Sequence, residues 1–303
     1  MDATFLVDFA VGLVLALVLF GVGLSLSVSD FTNIIRHPKA FFTALGVQML
    51  GLPLLAFAVN LLAPVPPEVK VGFIILAASP GGATSGFLAY LWRGNVALSL
   101  SLTSVNSFLT LFSIPLVVNI GLNVFMGRSS DLHLPFWYFV QHIFLITIIP
   151  ASLGIAVRYF FPAAAERLSK PARYVMLALL GIVFAVKIFA GEKQGGAGLE
   201  LNDFLVITPV ALVQNALCLF FGYYMMQWTG QPHASRLTAS MESGVQNTSL
   251  AFLIATILIN TNNIASQTMV KPALIYSMFS FWTACLFAWV QNRRNGHDAT
   301  LRI

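Results

Sequence analysis

The sequence is poor in charge. Only 9% of its 303 residues are Asp, Glu, Lys or Arg, whereas 58% are hydrophobic. Soluble domains carry about 25% charged residues, so this composition excludes an ordinary soluble domain. The net charge of +5 does not indicate a nucleic-acid partner, because the basic residues occupy short loops between apolar runs, where membrane topology explains them.

Cysteine is scarce as well. Cys218 and Cys285 both lie inside apolar runs, which is typical of small buried residues and not of a disulfide or a metal-binding pair. No cleavable signal peptide is predicted either, since the first apolar run has no basic segment before it and continues beyond the usual length.

Long apolar runs dominate what is present. A membrane-spanning helix needs about 20 mostly apolar residues, and nine runs are of that kind. We therefore predict an all-α polytopic membrane protein, with residues 1–303 as one transmembrane unit in the lipid bilayer. The predicted spans, numbered one to nine, are 4–28, 38–63, 69–92, 95–126, 134–160, 172–191, 203–228, 234–260 and 267–291.

The basic residues of the loops predict the orientation. When the loops are assigned alternately to two sides, eleven basic residues fall on one side and four on the other, with Lys187 near a helix end. The richer side is expected to be cytoplasmic, which places the N-terminus outside and the C-terminus inside a multi-pass protein of the plasma membrane. The eleven are Arg36, Lys39, Arg93, Arg158, Arg167, Lys170, Arg173, Arg236, Arg293, Arg294 and Arg302, and the four are Lys70, Arg128, Lys193 and Lys271.

An internal repeat relates spans two to four to spans seven to nine. Polar residues recur in the same order, so that Gln48 in span two corresponds to Asn215 in span seven. The repeat is offset by five spans, an odd number, and the two halves are therefore predicted to be inverted relative to each other. Inverted repeats of this kind are typical of secondary transporters.

Two spans are interrupted at corresponding places of this repeat. Span three contains residues 79–86 (SPGGATSG) and span eight contains residues 240–249 (SMESGVQNTS). One such break would favour the alternative that Pro and Gly merely kink a helix. Two matching breaks, each flanked by polar side chains, favour an ion or substrate site between inverted halves.

Glu242 is the acidic residue that lies deep inside an apolar run. A carboxylate at membrane depth costs several kcal/mol unless a proton, a partner or a metal ion neutralises it. Sodium is a hard cation that takes several oxygen ligands, and Gln246 and Asn247 offer amide oxygens nearby. The alternative is a protonated carboxyl group that bonds to a neighbour.

Hydroxyl and amide side chains near the breaks complete this candidate site. Ser85, Ser99 and Thr103 offer hydroxyl oxygens, and Ser99 and Thr103 share a face of span four because they are four residues apart. Their alternative role is a hydrogen bond to the preceding turn of their own helix. Gln48 and Asn215 either join the site or bond neighbouring helices together.

Several stretches resemble the bile acid:sodium symporter family in its nine-helix form. The resemblance covers nearly the whole chain. It is carried by residues 29–31 (SDF), 37–39 (HPK), 78–82 (ASPGG), 90–99 (YLWRGNVALS), 228–230 (WTG) and 242–247 (ESGVQN). This resemblance implies a core domain from 38–126 and 203–291, in which the two broken helices cross. It also implies a panel domain from 4–28 and 134–191, with the organic substrate in the cleft between the two domains.

The resemblance further implies two sodium sites. One would use side-chain oxygens of Gln48, Glu242 and Gln246 with the carbonyls of Ser243 and Val245. The other would use Ser85, Ser99, Thr103 and again Glu242. The family usually has Asn after the serine of the first break, where this chain has Gly86, so the second of these sites is weakened, rebuilt with Asn106, or absent.

The predicted function is sodium-coupled symport of an organic anion by alternating access, without enzymatic activity. The anion would be bile-acid-like, a steroid conjugate or a small carboxylate. A proton-coupled or uncoupled carrier of the same fold is the main alternative, and a channel or receptor is another. An intramembrane enzyme has no His-Glu-x-x-His motif or second membrane carboxylate to support it. The sequence does not indicate an oligomeric state. The expected substrate cleft includes Pro80, Gly81, Gly82, Gly86, Asn106, Asn215 and Asn247.

Overall fold

The computed structural model describes residues 38–127, 136–189, 196–261 and 267–296, with short stretches between residues 10 and 24. Within these residues the regular secondary structure is helical. The first predicted span and the stretch 29–31 therefore lie wholly or mostly outside the described residues, and their predicted structure stays a prediction.

Span two forms one helical stretch with a local widening. Helix α1 (Pro38–Gly46) continues through a π-helical turn (Val47–Gly51) into α2 (Leu52–Leu62). Pro53 lies in the first turn of α2 and has no N–H to donate to the preceding turn, which favours such a widening. Gln48 lies within the π-helical turn, a feature frequently found at functional sites.

Span three is broken into two helices, as its sequence predicts. Helix α3 (Pro67–Ala77) ends before Pro80, and α4 (Ala83–Leu91) begins after a pair of glycines. A tight turn then leads into the long helix α5 (Val96–Met126), whose first turn is capped by Asn95. The Asn95 side-chain oxygen accepts a hydrogen bond from the Leu98 amide at 3.0 Å, which satisfies one of the free donors of a helix start.

The next helices differ from the predicted spans at one boundary. Helix α6 (Phe136–Ile143) passes through a π-helical turn (Phe144–Ile148) into α7 (Ile149–Phe160). Helix α8 (Pro162–Phe189) begins ten residues before the predicted start of span six at 172. The earlier residues 162–171 (PAAAERLSKP) are mostly good helix formers, but four of the ten are polar or charged, so the helix extends beyond its continuously apolar part.

The last third of the chain contains the second broken span. Helix α9 (Leu201–Trp228) packs closely against α10 (His233–Gly244), because a Cβ atom on Gly222 would lie 2.7 Å from the Ala239 carbonyl oxygen. Helix α11 (Thr248–Thr261) follows after three non-helical residues, and α12 (Lys271–Arg294) follows a short 3₁₀ turn (Thr268–Val270). The break thus lies at 245–247, and Glu242 belongs to the last turn of α10.

Apolar packing holds the two broken spans together. The largest buried cluster joins α3, α5, α9, α11 and α12 through side chains such as Phe73, Leu76, Ile114, Ile254 and Leu274. Large apolar side chains such as Leu50, Leu54 and Trp282 are instead more than 65% exposed on the outer surface, where the acyl chains of a bilayer would cover them.

Five helical stretches among the described residues are long and apolar enough to cross a membrane. They are Pro38–Leu62, Val96–Met126, Leu201–Trp228, His233–Ile259 and Thr268–Arg294. Together with the helical secondary structure of the described residues, these spans identify a polytopic α-helical membrane protein. The count of nine spans stays a prediction.

Candidate ion-binding site at the two helix breaks

The two helix breaks touch each other. The Asn247 backbone amide in the second break donates a hydrogen bond to the Ser79 carbonyl in the first break at 3.1 Å. A Cβ atom on Gly82 would lie 3.3 Å from the Asn247 side-chain nitrogen. The backbone of the first break therefore lies directly against the second break.

Gly81 provides the closest approach between the breaks. A Cβ atom at this position would lie 2.5 Å from Glu242 Oε2, 2.7 Å from the Glu242 carbonyl oxygen and 2.7 Å from Ser85 Oγ. No larger residue fits there without moving the backbone of α10. The absence of a side chain at Gly81 is thus what allows the Glu242 carboxylate to lie against the first break.

Glu242 is fully buried, at 0% exposure. Its Oε1 accepts a hydrogen bond from Ser99 Oγ at 2.5 Å, and Ser85 and Gln48 lie near the same carboxylate. Its Oε2 has no hydrogen-bond partner among the described residues, and the ion pair between Lys271 and Asp203 does not involve it. A buried charge without a partner is strongly unfavourable, so a cation or a proton beside this oxygen would stabilise the site.

The three hydroxyl groups predicted at the second sodium site, those of Ser85, Ser99 and Thr103, have different surroundings. Ser99 donates to Glu242 and not to the preceding turn of its own helix. Ser85 Oγ donates to the Gly82 carbonyl at 2.7 Å beside that carboxylate. Thr103 lies one turn further along α5 and is partly exposed. A Cβ atom on Gly86 would lie 3.1 Å from Ser99 Oγ, so position 86 faces this group.

Gln48 and Asn106 form a buried amide pair between the π-helical turn and α5. Asn106 Nδ2 donates to Gln48 Oε1 at 2.5 Å, which leaves Asn106 Oδ1 and Gln48 Nε2 without partners. The oxygen and nitrogen of such amides are assigned from their hydrogen bonds. If both amides are turned over, the Gln48 oxygen becomes the free one, so the pair supplies one free amide oxygen in either arrangement.

Gln246 presents a second free amide oxygen. Its Nε2 donates to Cys218 Sγ at 3.7 Å, while its Oε1 has no partner among the described residues. The carbonyls of Ser243 and Val245 flank the end of α10, where the last carbonyls of a helix lack intrahelical partners. The negative end of the helix dipole also lies there and favours a cation.

Unpaired buried oxygens are concentrated at these breaks. Nine buried side-chain N or O atoms of the described residues lack a hydrogen-bond partner, and four oxygens among them belong to Glu242, Ser243, Gln246 and Asn106. Each unpaired group costs about 1–3 kcal/mol, and native structures rarely leave such groups unsatisfied. An all-oxygen group of this kind fits a hard cation such as sodium. No cluster of three His, Cys, Asp or Glu side chains occurs among the described residues.

Asn215 lies behind the second break, on α9, and its amide is fully engaged. It donates to the Gly244 carbonyl at 2.8 Å and to the Tyr276 hydroxyl at 2.9 Å, and it accepts from Thr283 Oγ1 at 2.6 Å. Sequence reasoning did not identify Tyr276, Thr283 or Cys218 as part of this region. The available signal was the spacing of seven residues between Tyr276 and Thr283, which places both on one face of span nine.

Comparison with known proteins assigns the chain to a family of transporters. The model of the Sodium Bile acid symporter family matches residues 12–195, more than half of the chain. The ileal sodium/bile acid cotransporter of Oryctolagus cuniculus is 26% identical over 278 residues, which cover 91% of this chain and 76% of that protein.

Two further relatives come from bacteria and plants. An uncharacterized sodium-dependent transporter of Bacillus subtilis (strain 168) is 26% identical over 242 residues, covering 80% of this chain and 72% of that protein. A probable chloroplastic sodium/metabolite cotransporter of Oryza sativa subsp. japonica is 26% identical over 250 residues, covering 82% and 56%. These relatives and the family are sodium-dependent transporters and not enzymes. The resemblance seen in the sequence is thus confirmed, and the chain belongs to the Sodium Bile acid symporter family.

Proposed function

We propose that this protein is a sodium-coupled symporter that moves an organic anion across the plasma membrane by alternating access. Family membership supports sodium-coupled transport in general. The observation that carries the proposal for this chain is the Glu242 carboxylate, which is fully buried at the contact of the two helix breaks with Oε2 unpaired.

The proposed sodium ligands follow from the free oxygens. One ion would be bound by Glu242, Gln246 and the carbonyls of Ser243 and Val245, with the amide pair of Gln48 beside them. The free oxygens on Glu242 and Gln246 support this site. Sodium ions prefer several such oxygens and accept neutral carbonyls together with one carboxylate.

A second ion would lie near Ser85, Ser99 and Glu242. Gly86 supplies no side-chain oxygen to it, and Thr103 lies one turn away. The free Asn106 oxygen supports the proposal that Asn106 replaces the missing ligand. The number of sodium ions transported per cycle must therefore be measured separately from whether transport is coupled to sodium at all.

The nine-span arrangement is proposed together with this function. Arg93, Arg236 and Arg293 lie at or near the ends of α4, α10 and α12 that we assign to the cytoplasmic side, in keeping with the charge bias of the loops. Helices from 38–126 and 203–291 would form the core domain. Residues 134–191 would belong to the panel together with the first span.

The substrate would bind beside the breaks. Helices α4 and α11 begin there, and the positive end of each helix dipole attracts an anion. Of the residues expected in the cleft, Gly82, Gly86 and Asn247 are partly exposed, whereas Pro80, Gly81 and the asparagines Asn106 and Asn215 are buried. We therefore propose that the first three meet the substrate and that the two asparagines act behind them.

Coupling would arise because sodium binds some conformations better than others. A cation beside Glu242 removes the unfavourable buried charge and joins the two breaks, which would favour the conformation that accepts the substrate. Such coupling requires a difference in sodium affinity between the states.

A proton-coupled carrier is the second candidate, because a proton on the unpaired Oε2 would also neutralise the carboxylate. A thermal-stability screen of bile acids, sulfated steroids and small carboxylates, with sodium or potassium chloride, would first identify an anion that stabilises the protein in a sodium-dependent way. Uptake of that labelled anion into proteoliposomes would then be measured at fixed pH, with and without a sodium gradient.

The expected result is uptake that follows the sodium gradient and disappears in Glu242→Ala. The matched control is Glu68→Gln, which alters a carboxylate in the first turn of α3, away from the breaks. Uptake that follows a proton gradient at constant sodium, or sodium-stimulated uptake that survives in Glu242→Ala, would overturn the proposal.

A further inference from the structure

The carbonyl of Gly244 is held by two side chains. The Tyr276 hydroxyl donates to it at 2.6 Å, and Asn215 Nδ2 donates to it at 2.8 Å. Gly244 is the last residue of α10, so its carbonyl has no partner in a following turn of the same helix. Two side chains from α9 and α12 take the place of that missing turn.

These donors form a network with a defined direction. The nearest acceptor of the Thr283 hydroxyl is Asn215 Oδ1 at 2.6 Å, whereas the Ser280 and Phe279 carbonyls lie at 3.0 and 3.2 Å. The bond to Asn215 Oδ1 directs the Asn215 amide nitrogen toward Gly244. Asn215 Nδ2 also donates to the Tyr276 hydroxyl at 2.9 Å, and that hydroxyl in turn donates to the Gly244 carbonyl. Asn215 and Tyr276 are both 0% exposed, so water does not compete for these bonds, and each is stronger for it.

The clamped carbonyl lies between two proposed sodium ligands. Ser243 and Val245 immediately precede and follow Gly244. A peptide group is planar, so a fixed Gly244 carbonyl also fixes the Gly244–Val245 peptide and limits rotation of the groups on either side. Because the Gly244 carbonyl is already engaged, the carbonyls of Ser243 and Val245 are the ones that remain for a cation.

We propose that Tyr276, Asn215 and Thr283 are positioning residues that set the sodium affinity of the second break by holding the Gly244 carbonyl. This inference rests on the proposed sodium site. The three residues do not touch the ion. They restrict the carbonyls of Ser243 and Val245 to orientations that suit it, and hydrogen-bond partners of metal ligands act in this way in other sites.

In the first half of the predicted repeat, the described residues contain no such clamp. Its counterpart of Asn215 is Gln48, which pairs with Asn106 on α5 and leaves an amide oxygen free. The Asn215 amide instead accepts a hydrogen bond from the Thr283 hydroxyl and donates one to the Gly244 carbonyl. The two related positions have thus taken different roles, one beside the ions and one behind them.

The test is a sodium titration of thermal stability in the purified full-length protein, with potassium chloride keeping ionic strength constant. Tyr276→Phe removes one donor to Gly244 and keeps the ring. It is expected to raise the half-saturating sodium concentration about tenfold, the lower end of the effect of lost partners at metal sites. Tyr223→Phe is the matched control, because Tyr223 is also buried and its hydroxyl contacts His233 far from the breaks.

A second pair of variants keeps the inference testable if Tyr276→Phe does not fold. Thr283→Val removes the hydroxyl that orients Asn215, and Thr283→Ser keeps that hydroxyl. The half-saturating sodium concentration should rise about threefold in Thr283→Val, which is half the effect of Tyr276→Phe on a logarithmic scale. It should return to the wild-type value in Thr283→Ser.

Three outcomes separate the claims. Weaker sodium affinity in Tyr276→Phe or Thr283→Val, but not in Tyr223→Phe, supports the inference. A lower melting temperature with an unchanged half-saturating sodium concentration assigns these residues a structural role only and overturns it. A wild-type protein whose stability does not depend on sodium refutes the proposed sodium site itself, and the inference with it.

Discussion

The two helix breaks resemble each other in the sequence, yet they satisfy their polar groups differently. In the first break, Ser79 Oγ donates to the Ile75 carbonyl at 2.9 Å, and Ser85 Oγ donates to the Gly82 carbonyl at 2.7 Å. In the second break, Glu242 Oε2, Ser243 Oγ and Gln246 Oε1 have no partner among the described residues.

This difference assigns a separate role to each break. The first break contributes shape, because its glycines let the Glu242 carboxylate approach the backbone. The second contributes the charge and the free oxygens. The two broken helices are therefore not a pair of equal half-sites, although the sequence predicts that an inverted repeat relates them, and variants at the two breaks are expected to fail in different ways.

The largest expected effect comes from closing the gap in the first break. Gly81→Ala would place a methyl group 2.5 Å from Glu242 Oε2, so the two breaks must separate. Overpacking of this kind costs typically about 1–3 kcal/mol, and we expect the sodium-dependent increase in melting temperature to disappear. Gly181→Ala is the control, since a Cβ atom at Gly181 meets nothing within 4 Å. A sodium response in Gly81→Ala equal to that of the wild type would contradict the close-contact account.

A smaller effect is expected from a free oxygen of the second break. Gln246→Leu removes an unpaired buried oxygen together with the weak bond from Nε2 to Cys218 Sγ at 3.7 Å. The stability measured without sodium should therefore change little, because the loss of an unsatisfied group offsets the lost bond. Gln246→Leu should raise the half-saturating sodium concentration about tenfold, in line with other losses at metal sites. Both quantities come from thermal unfolding at a series of sodium concentrations.

Gln214→Leu provides the contrast for that measurement. Gln214 is equally buried on α9, but its amide accepts from Asn60 and donates to the Phe73 carbonyl. Its loss should lower stability by about 1–3 kcal/mol without changing the sodium response. If the two glutamine variants behaved alike, the distinction between paired and unpaired oxygens at the breaks would fail.

The smallest expected effect sharpens the role of Gly86. Gly86→Asn adds an amide group at a position where the family usually has asparagine and where the Cβ atom would lie 3.1 Å from Ser99 Oγ. We expect the sodium dependence of stability to become steeper, with an affinity gain of about threefold, or roughly 0.65 kcal/mol. Gly86→Ala adds the Cβ atom alone and should not change the steepness. Equal curves for both variants would mean that position 86 supplies no ligand.

Much of the helical framework was predictable because apolar runs end where polar loops begin. Span four was predicted at 95–126 and is observed as α5 at Val96–Met126, and span seven was predicted at 203–228 and is observed as α9 at Leu201–Trp228. The bounds differ by at most two residues. Span six was predicted to start too late, because residues 162–171 form helix from propensity without being continuously apolar. Hydropathy identifies membrane depth, and helix propensity extends beyond it.

The site was predictable in its residues more than in its contacts. Glu242 and both breaks stand out locally, because polar residues are rare in apolar runs. The pairing of Asn215 with Thr283 joins residues 68 apart, and the pairing of Gln48 with Asn106 joins residues 58 apart. Such contacts depend on how helices pack, and the spacing of residues within one helix does not determine them.

The central claim is that Glu242 binds sodium where the two breaks meet, and equilibrium binding of radioactive sodium to the purified protein tests it most directly. The account predicts saturable binding by the wild type, at constant ionic strength and pH, and its loss in Glu242→Gln, which keeps the size of the side chain but removes its charge. Equal sodium binding by the two proteins would contradict the account.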